Sequence, residues 1–131
     1  MSYAGDLSPT DAHQLLLDSP NAVLIDCRTN AEWTWVGVPA IAGTRFVEWS
    51  QWPQGARNAE FVAQATNGLA QDQPVLMLCR SGGRSAAAAT ALAEAGFTDV
   101  YNIAGGFEGD LDTQGHRTGG WRGVGLPWQQ S

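Results

Sequence analysis

The sequence predicts an α/β fold with a central parallel sheet and helices on both faces, and three observations predict it. Two short runs, Ala22-Val23-Leu24-Ile25 and Val75-Leu76-Met77-Leu78, are apolar without alternation, as in strands buried on both faces. Segments with apolar residues at helical spacing alternate with these runs. Each run leads into a Cys-Arg pair, Cys27-Arg28 and Cys79-Arg80, at the strand end where open α/β sheets place ligands.

The elements follow in order. Ser8 caps a first helix that has Pro9 at its first position and Asp11 in its first turn. Ala12, Leu15 and Leu16 form its apolar stripe, and it runs to Asp18, before the Ser19-Pro20-Asn21 break. After the first strand, residues 30–35 predict a short helix limited by Gly37 and Pro39, and residues 45–49 alternate like a strand. Residues 51–57 read as a loop. Phe61, Val62, Ala65 and Leu69 recur at helical spacing, predicting a helix over 58–69. Beyond the second apolar strand, the alanine-rich segment 85–95 is a strong helix former with Gly96 as its C-cap. Residues 99–103 add a strand, and Ala104-Gly105-Gly106 opens a glycine-rich tail.

At 131 residues the chain suits a single domain spanning residues 1–131. Its 44% hydrophobic and 15% charged content describe a globular protein, and no apolar run approaches the ~20 residues of a membrane span. No basic segment followed by an apolar one opens the chain, so a cytoplasmic location is expected. A net charge of −6 argues against nucleic acid and against anionic membrane. All seven basic residues are arginine, and two of them, Arg80 and Arg84, fall within residues 79–85. A small anion bound at one focused site fits that distribution.

The stretch Cys79-Arg80-Ser81-Gly82-Gly83-Arg84-Ser85 carries the chemistry. Its amides can curl around the sulfur, Gly82 and Gly83 permit the curvature, and the following helix points its N-terminus at the same spot. Positive charge and a helix N-terminus favour the thiolate form of a cysteine, so Cys79 is expected to be a nucleophile. Arg80, Ser81, Gly82, Gly83, Arg84 and Ser85 are the expected substrate-binding residues.

Leu24-Ile25-Asp26-Cys27-Arg28 with Glu32-Trp33, CRSGGRS at 79–85 and NIAGGF at 102–107 resemble, in order, the motifs of rhodanese-homology domains. The resemblance covers nearly the whole chain. It implies a rhodanese-like parallel sheet of about five strands and a sulfurtransferase in which Cys79 forms a persulfide. A small anionic sulfur donor such as thiosulfate would load Cys79. Cyanide, a thiol or a protein cysteine would accept the sulfur, with no metal or organic cofactor required.

Two rival readings stand beside it. A cysteine-dependent phosphatase or arsenate reductase-like loop places five residues between Cys and Arg, whereas four separate Cys79 from Arg84 and Ser85 stands in the phosphatase arginine's place. In the family it resembles, the shorter loop goes with sulfur transfer. A non-catalytic binding module is the other alternative, and members of that kind often lack the cysteine.

Asp26 and Arg28 are expected to hold the strand end, and Glu32 to partner a buried hydrogen bond or an arginine. Cys27 extends an apolar strand, so it is expected to be buried and unreactive. Residues 108–120 read as an enlarged glycine-rich loop, a solvated lid or partner surface. Its Asp110, Asp112 and His116 lack a fourth partner for a metal, so no metal site is expected. Trp33, Trp35, Trp49, Trp52, Trp121 and Trp128 are assigned core and edge packing.

Overall fold

The computed structural model describes residues 2–130. Its first half comprises β1 (Gly5–Leu7), α1 (Pro9–Asp18), β2 (Val23–Asp26), α2 (Asn30–Trp35), β3 (Val38–Pro39), β4 (Arg45–Phe46) and α3 (Phe61–Thr66). The second half adds β5 (Val75–Leu78), α4 (Gly83–Glu94), β6 (Val100–Ile103), β7 (Gly109–Leu111), β8 (Arg117–Gly119) and β9 (Trp128–Gln129). Five strands form one parallel sheet in the order β1-β6-β5-β2-β4, so the two apolar runs lie side by side near its centre. Ile25 pairs with Met77 and Asp26 with Leu78, and the Cys27 N–H donates to the Leu78 carbonyl at 2.8 Å. Both Cys-Arg pairs therefore leave the same edge of the sheet.

Alternation along the strands divides the core in two. Leu24, Leu76, Leu78 and Ile103 face Ala12, Leu15 and Leu16 of α1, together with Phe107 and Trp121. Ile25, Cys27, Val75, Met77, Cys79 and Val100 face Phe61 and Ala65 of α3 and Ala88, Ala89 and Leu92 of α4. Small alanines on α4 let that helix lie close to the sheet, and Gly96 takes the expected positive φ, 101°, just past its end. The Ser8 hydroxyl accepts from the Asp11 N–H at 3.1 Å, which caps α1 as predicted.

Several elements differ from the sequence expectation. β1 carries no apolar run and is held by register with β6, from Gly5 against Tyr101 to Leu7 against Ile103. β4 is two residues long, although the Val47 and Trp49 N–H groups still donate to the Asp26 and Cys27 carbonyls. α3 starts at Phe61 because the Asn58 side chain turns the backbone first, accepting from the Glu60 N–H at 3.1 Å. The glycine-rich stretch 108–120 contains an antiparallel hairpin, β7 on β8, rather than a featureless loop.

Candidate active site

The strand fixes Cys79 and the residues after it wrap the sulfur. Cys79 is 1% exposed, directly beyond the last residue of β5. Among the described residues its Sγ takes two donors, the Gly82 N–H at 3.1 Å and the Ser85 hydroxyl at 3.2 Å. The inward turn of the Gly82 amide requires φ of 113°, a conformation that side chains rarely adopt. The expected curl of several amides around the sulfur thus reduces to one amide and one hydroxyl, because α4 begins at Gly83. Gly83 and Arg80 are exposed, while Ser81 is half-buried.

NIAGGF explains itself as the support for this loop. The Phe107 N–H donates to the Cys79 carbonyl at 2.8 Å and the Glu108 N–H to the Arg80 carbonyl at 2.9 Å. Gly106 passes beneath so closely that a Cβ would collide with the Cys79 carbonyl oxygen and come within 2.6 Å of the Arg80 carbonyl. Only a residue without a side chain allows the two backbones to meet.

Arg84, expected as part of the anion cradle, is engaged elsewhere. Its Nη1 and Nη2 donate to the two oxygens of Glu32 at 2.7 and 2.9 Å. Glu32 also accepts from the N–H and hydroxyl of Thr29, which caps α2. That capping box, Thr-x-x-Glu, is a local signal carried by the sequence, and it holds Glu32 in place for Arg84. Burial works to raise the Glu32 pKa, but the Arg84 hydrogen bonds and charge outweigh it and hold the carboxyl below its ordinary range. The same pairing pushes Arg84 further up, so it stays charged. Arg80 is the cation left at the rim.

The neighbouring strand end is built differently. Arg28 and Asp26 are both fully buried, with Arg28 Nε and Nη2 donating to the Asp26 oxygens and Nη2 also reaching the Gly37 carbonyl at 2.8 Å. Arg28 Cζ lies 4.3 Å from the Phe107 ring centroid, which faces the guanidinium whose Nη1 has no hydrogen-bond partner. Cys27 is fully buried, and desolvation, with a smaller contribution from Cys79, pushes its thiol pKa well up.

A cleft of about 590 Å³ opens beside the loop, lined by Arg80, Arg84, Glu32 and Glu108 with Trp35 and Trp52 at its sides. Those two tryptophans are 80% and 68% exposed and border the cleft, while Trp121 is fully buried, so the core and edge packing expected of the tryptophans divides between them. Asn102, unassigned from sequence, accepts from the Ser85 hydroxyl at 2.5 Å and so joins the sulfur's surroundings.

This site stands on a recognisable frame. Residues 8–112 match the family described as Rhodanese-like domain, and the chain belongs to that family. A crystal structure of a protein from M. tuberculosis is similar at 47% identity and TM-score 0.90, covering 99% of this chain and 100% of that one. An uncharacterized protein of Rickettsia prowazekii is 35% identical over 124 residues, 95% of this chain and 96% of its own. The polysulfide-sulfur transferase of Wolinella succinogenes, a homodimer, is 29% identical with TM-score 0.67, covering 96% of this chain and 78% of that one.

Proposed function

We propose that the chain is a sulfurtransferase that carries sulfane sulfur on Cys79, from thiosulfate or a related anionic donor to a thiophilic acceptor. The observation that carries this reading is the loop itself. Ser85, in the position where a phosphatase loop has its arginine, turns its hydroxyl onto the sulfur, and Arg84 is held by Glu32. The loop therefore offers a compact seat for sulfur rather than a ring of donors for phosphate. The Wolinella relative's sulfur transfer points the same way.

In this reading the Cys79 thiolate attacks the outer sulfur of thiosulfate. The S–S bond to the sulfonate breaks, and sulfite leaves with the electron pair. Cys79 then holds a terminal persulfide anion. A cyanide, thiolate or protein cysteine attacks that terminal sulfur, and the Cys79 thiolate leaves, completing a ping-pong cycle without a cofactor. Gly82 and Ser85 hold the inner sulfur, the loop backbone over Ser81, Gly82 and Gly83 flanks the approach, and Arg80 offsets the donor's charge. The cleft admits donor and acceptor. In this reading the protein works as one domain in the cytoplasm, where free thiols would supply acceptors.

Intact mass after thiosulfate treatment tests the reading. The wild type gains one sulfur, which cyanide removes, and Cys79→Ser gains none. Sulfur appearing on Cys79→Ser overturns the assignment. Aryl phosphate turnover that depends on Cys79 replaces it with the phosphatase reading, and a binding module would show neither reaction.

A further inference from the structure

The Ser85 hydroxyl has one proton and two acceptors. Its oxygen lies 3.2 Å from Cys79 Sγ and 2.5 Å from Asn102 Oδ1. Asn102 cannot relieve the competition by turning its amide. Its Nδ2 donates to Asp6 Oδ1 at 3.0 Å and to the Gly82 carbonyl at 3.3 Å, so Oδ1 is the atom aimed at Ser85. Asp6 is itself held by the Tyr3 hydroxyl at 2.9 Å. Ser85 is fully buried and Asn102 is 5% exposed, so water is a poor substitute partner.

The consequence depends on the charge state of the sulfur. In the thiol form, Cys79 can donate to Ser85 Oγ while Ser85 donates to Asn102, and every group is satisfied. In the thiolate form, the charged sulfur draws the Ser85 proton, leaving Asn102 Oδ1 facing an oxygen lone pair at close range. In the persulfide the charge sits on the terminal sulfur, Sγ becomes a weak neutral acceptor, and the Ser85 proton can return to Asn102. We propose that Asn102 is a positioning residue that competes with the Cys79 sulfur for the Ser85 proton. It favours the states without charge on Sγ, the thiol and the persulfide. The persulfide half of this statement rests on the sulfur-transfer reading; the thiol half does not.

The test is a double-mutant cycle between Asn102→Leu and Ser85→Ala with two readouts. The first is the alkylation rate of Cys79 by iodoacetamide at one neutral pH, followed by intact mass. The second is persulfide occupancy at a fixed thiosulfate to sulfite ratio. Arg84 on α4, Cys27 after β2, and Asp6 with Tyr3 are the charged and titratable groups facing this chain of contacts, and the cycle leaves them unchanged. Asn102→Leu should alkylate about three- to tenfold faster at that pH and, at alkaline pH where the thiolate is the competing free form, load less sulfur by a similar factor. In the Ser85→Ala background the same substitution should change neither. Unchanged alkylation in a folded Asn102→Leu protein, or an equal increase without Ser85, overturns the proposal.

Should Asn102→Leu not fold, Asp6→Ala at an exposed position removes the shorter of the two contacts that hold the amide and so weakens its orientation. It should speed alkylation in the same direction by a smaller factor, and no change there also overturns the proposal. If the wild type gains no sulfur from thiosulfate, the sulfur-transfer reading falls while the alkylation cycle still decides the role of Asn102.

Discussion

Cys27 and Cys79 occupy matching places on neighbouring strands, and their contrast shows how differently two strand ends can surround a thiol. Each follows a short apolar run, each precedes an arginine, and each is buried on the same face of the sheet. After Cys27, Arg28 folds inward onto Asp26 and the chain caps α2 at Thr29, so charge is consumed inside the protein. After Cys79, Arg80 stays at the surface, Gly82 turns its amide onto the sulfur, and α4 begins at once. Position at the sheet's edge is common to both. Among the described residues, donors from the segment that follows reach the Cys79 sulfur, whereas at Cys27 its own backbone amide and the Arg84 charge only partly offset desolvation, and the thiol is pushed up.

The contrast can be broken most severely at Arg28. Arg28→Met leaves Asp26 fully buried without its cation and should cost about 3–5 kcal/mol, seen as a lower urea midpoint. Replacing both partners, Asp26→Leu with Arg28→Met, should recover most of that loss. A single variant as stable as wild type would mean that the pair does not hold this strand end.

A smaller effect is expected where α2 meets the loop. Glu32→Gln removes the carboxylate that holds Arg84 and should cost about 1–2 kcal/mol, at the lower end because both side chains are partly exposed. The folded Glu32 value lies below its ordinary 4.5, so its contribution is full above that pH and fades as pH falls through the lowered folded value. Urea midpoints measured across acid pH should therefore fall less steeply in Glu32→Gln than in the wild type.

The smallest effect belongs to Cys27. Cys27→Ala should cost about 1 kcal/mol and leave the single thiosulfate-derived sulfur on Cys79. An unfolded Cys27 ionises near 9.0 while the folded thiol stays neutral, so its contribution is full below that pH and declines above it. Stability at alkaline pH should thus decline less in Cys27→Ala. Loss of sulfur loading in that variant would show that the two strand ends act together.

The sequence by itself determined the two central strands, the helix after Cys79 and the place of Cys79 at a strand end. Unbroken apolar runs, alanine spacing and a Gly-Gly pair are local signals whose physics does not depend on distant partners. Thr29 and Glu32 were also legible, as a capping box. An arginine partner for Glu32 and a strand-end role for Arg28 were expected, but tertiary structure decided which cation goes where: Arg28 inward, Arg84 onto Glu32, and Arg80 at the rim. It likewise placed Trp35 and Trp52 beside the cleft, brought Asn102 behind Ser85 across 17 residues and set Asp6 against Asn102 across 96. Long side chains choose partners by distance in space, and the crossovers of the parallel sheet create those distances only once β1, β6 and β5 stand side by side.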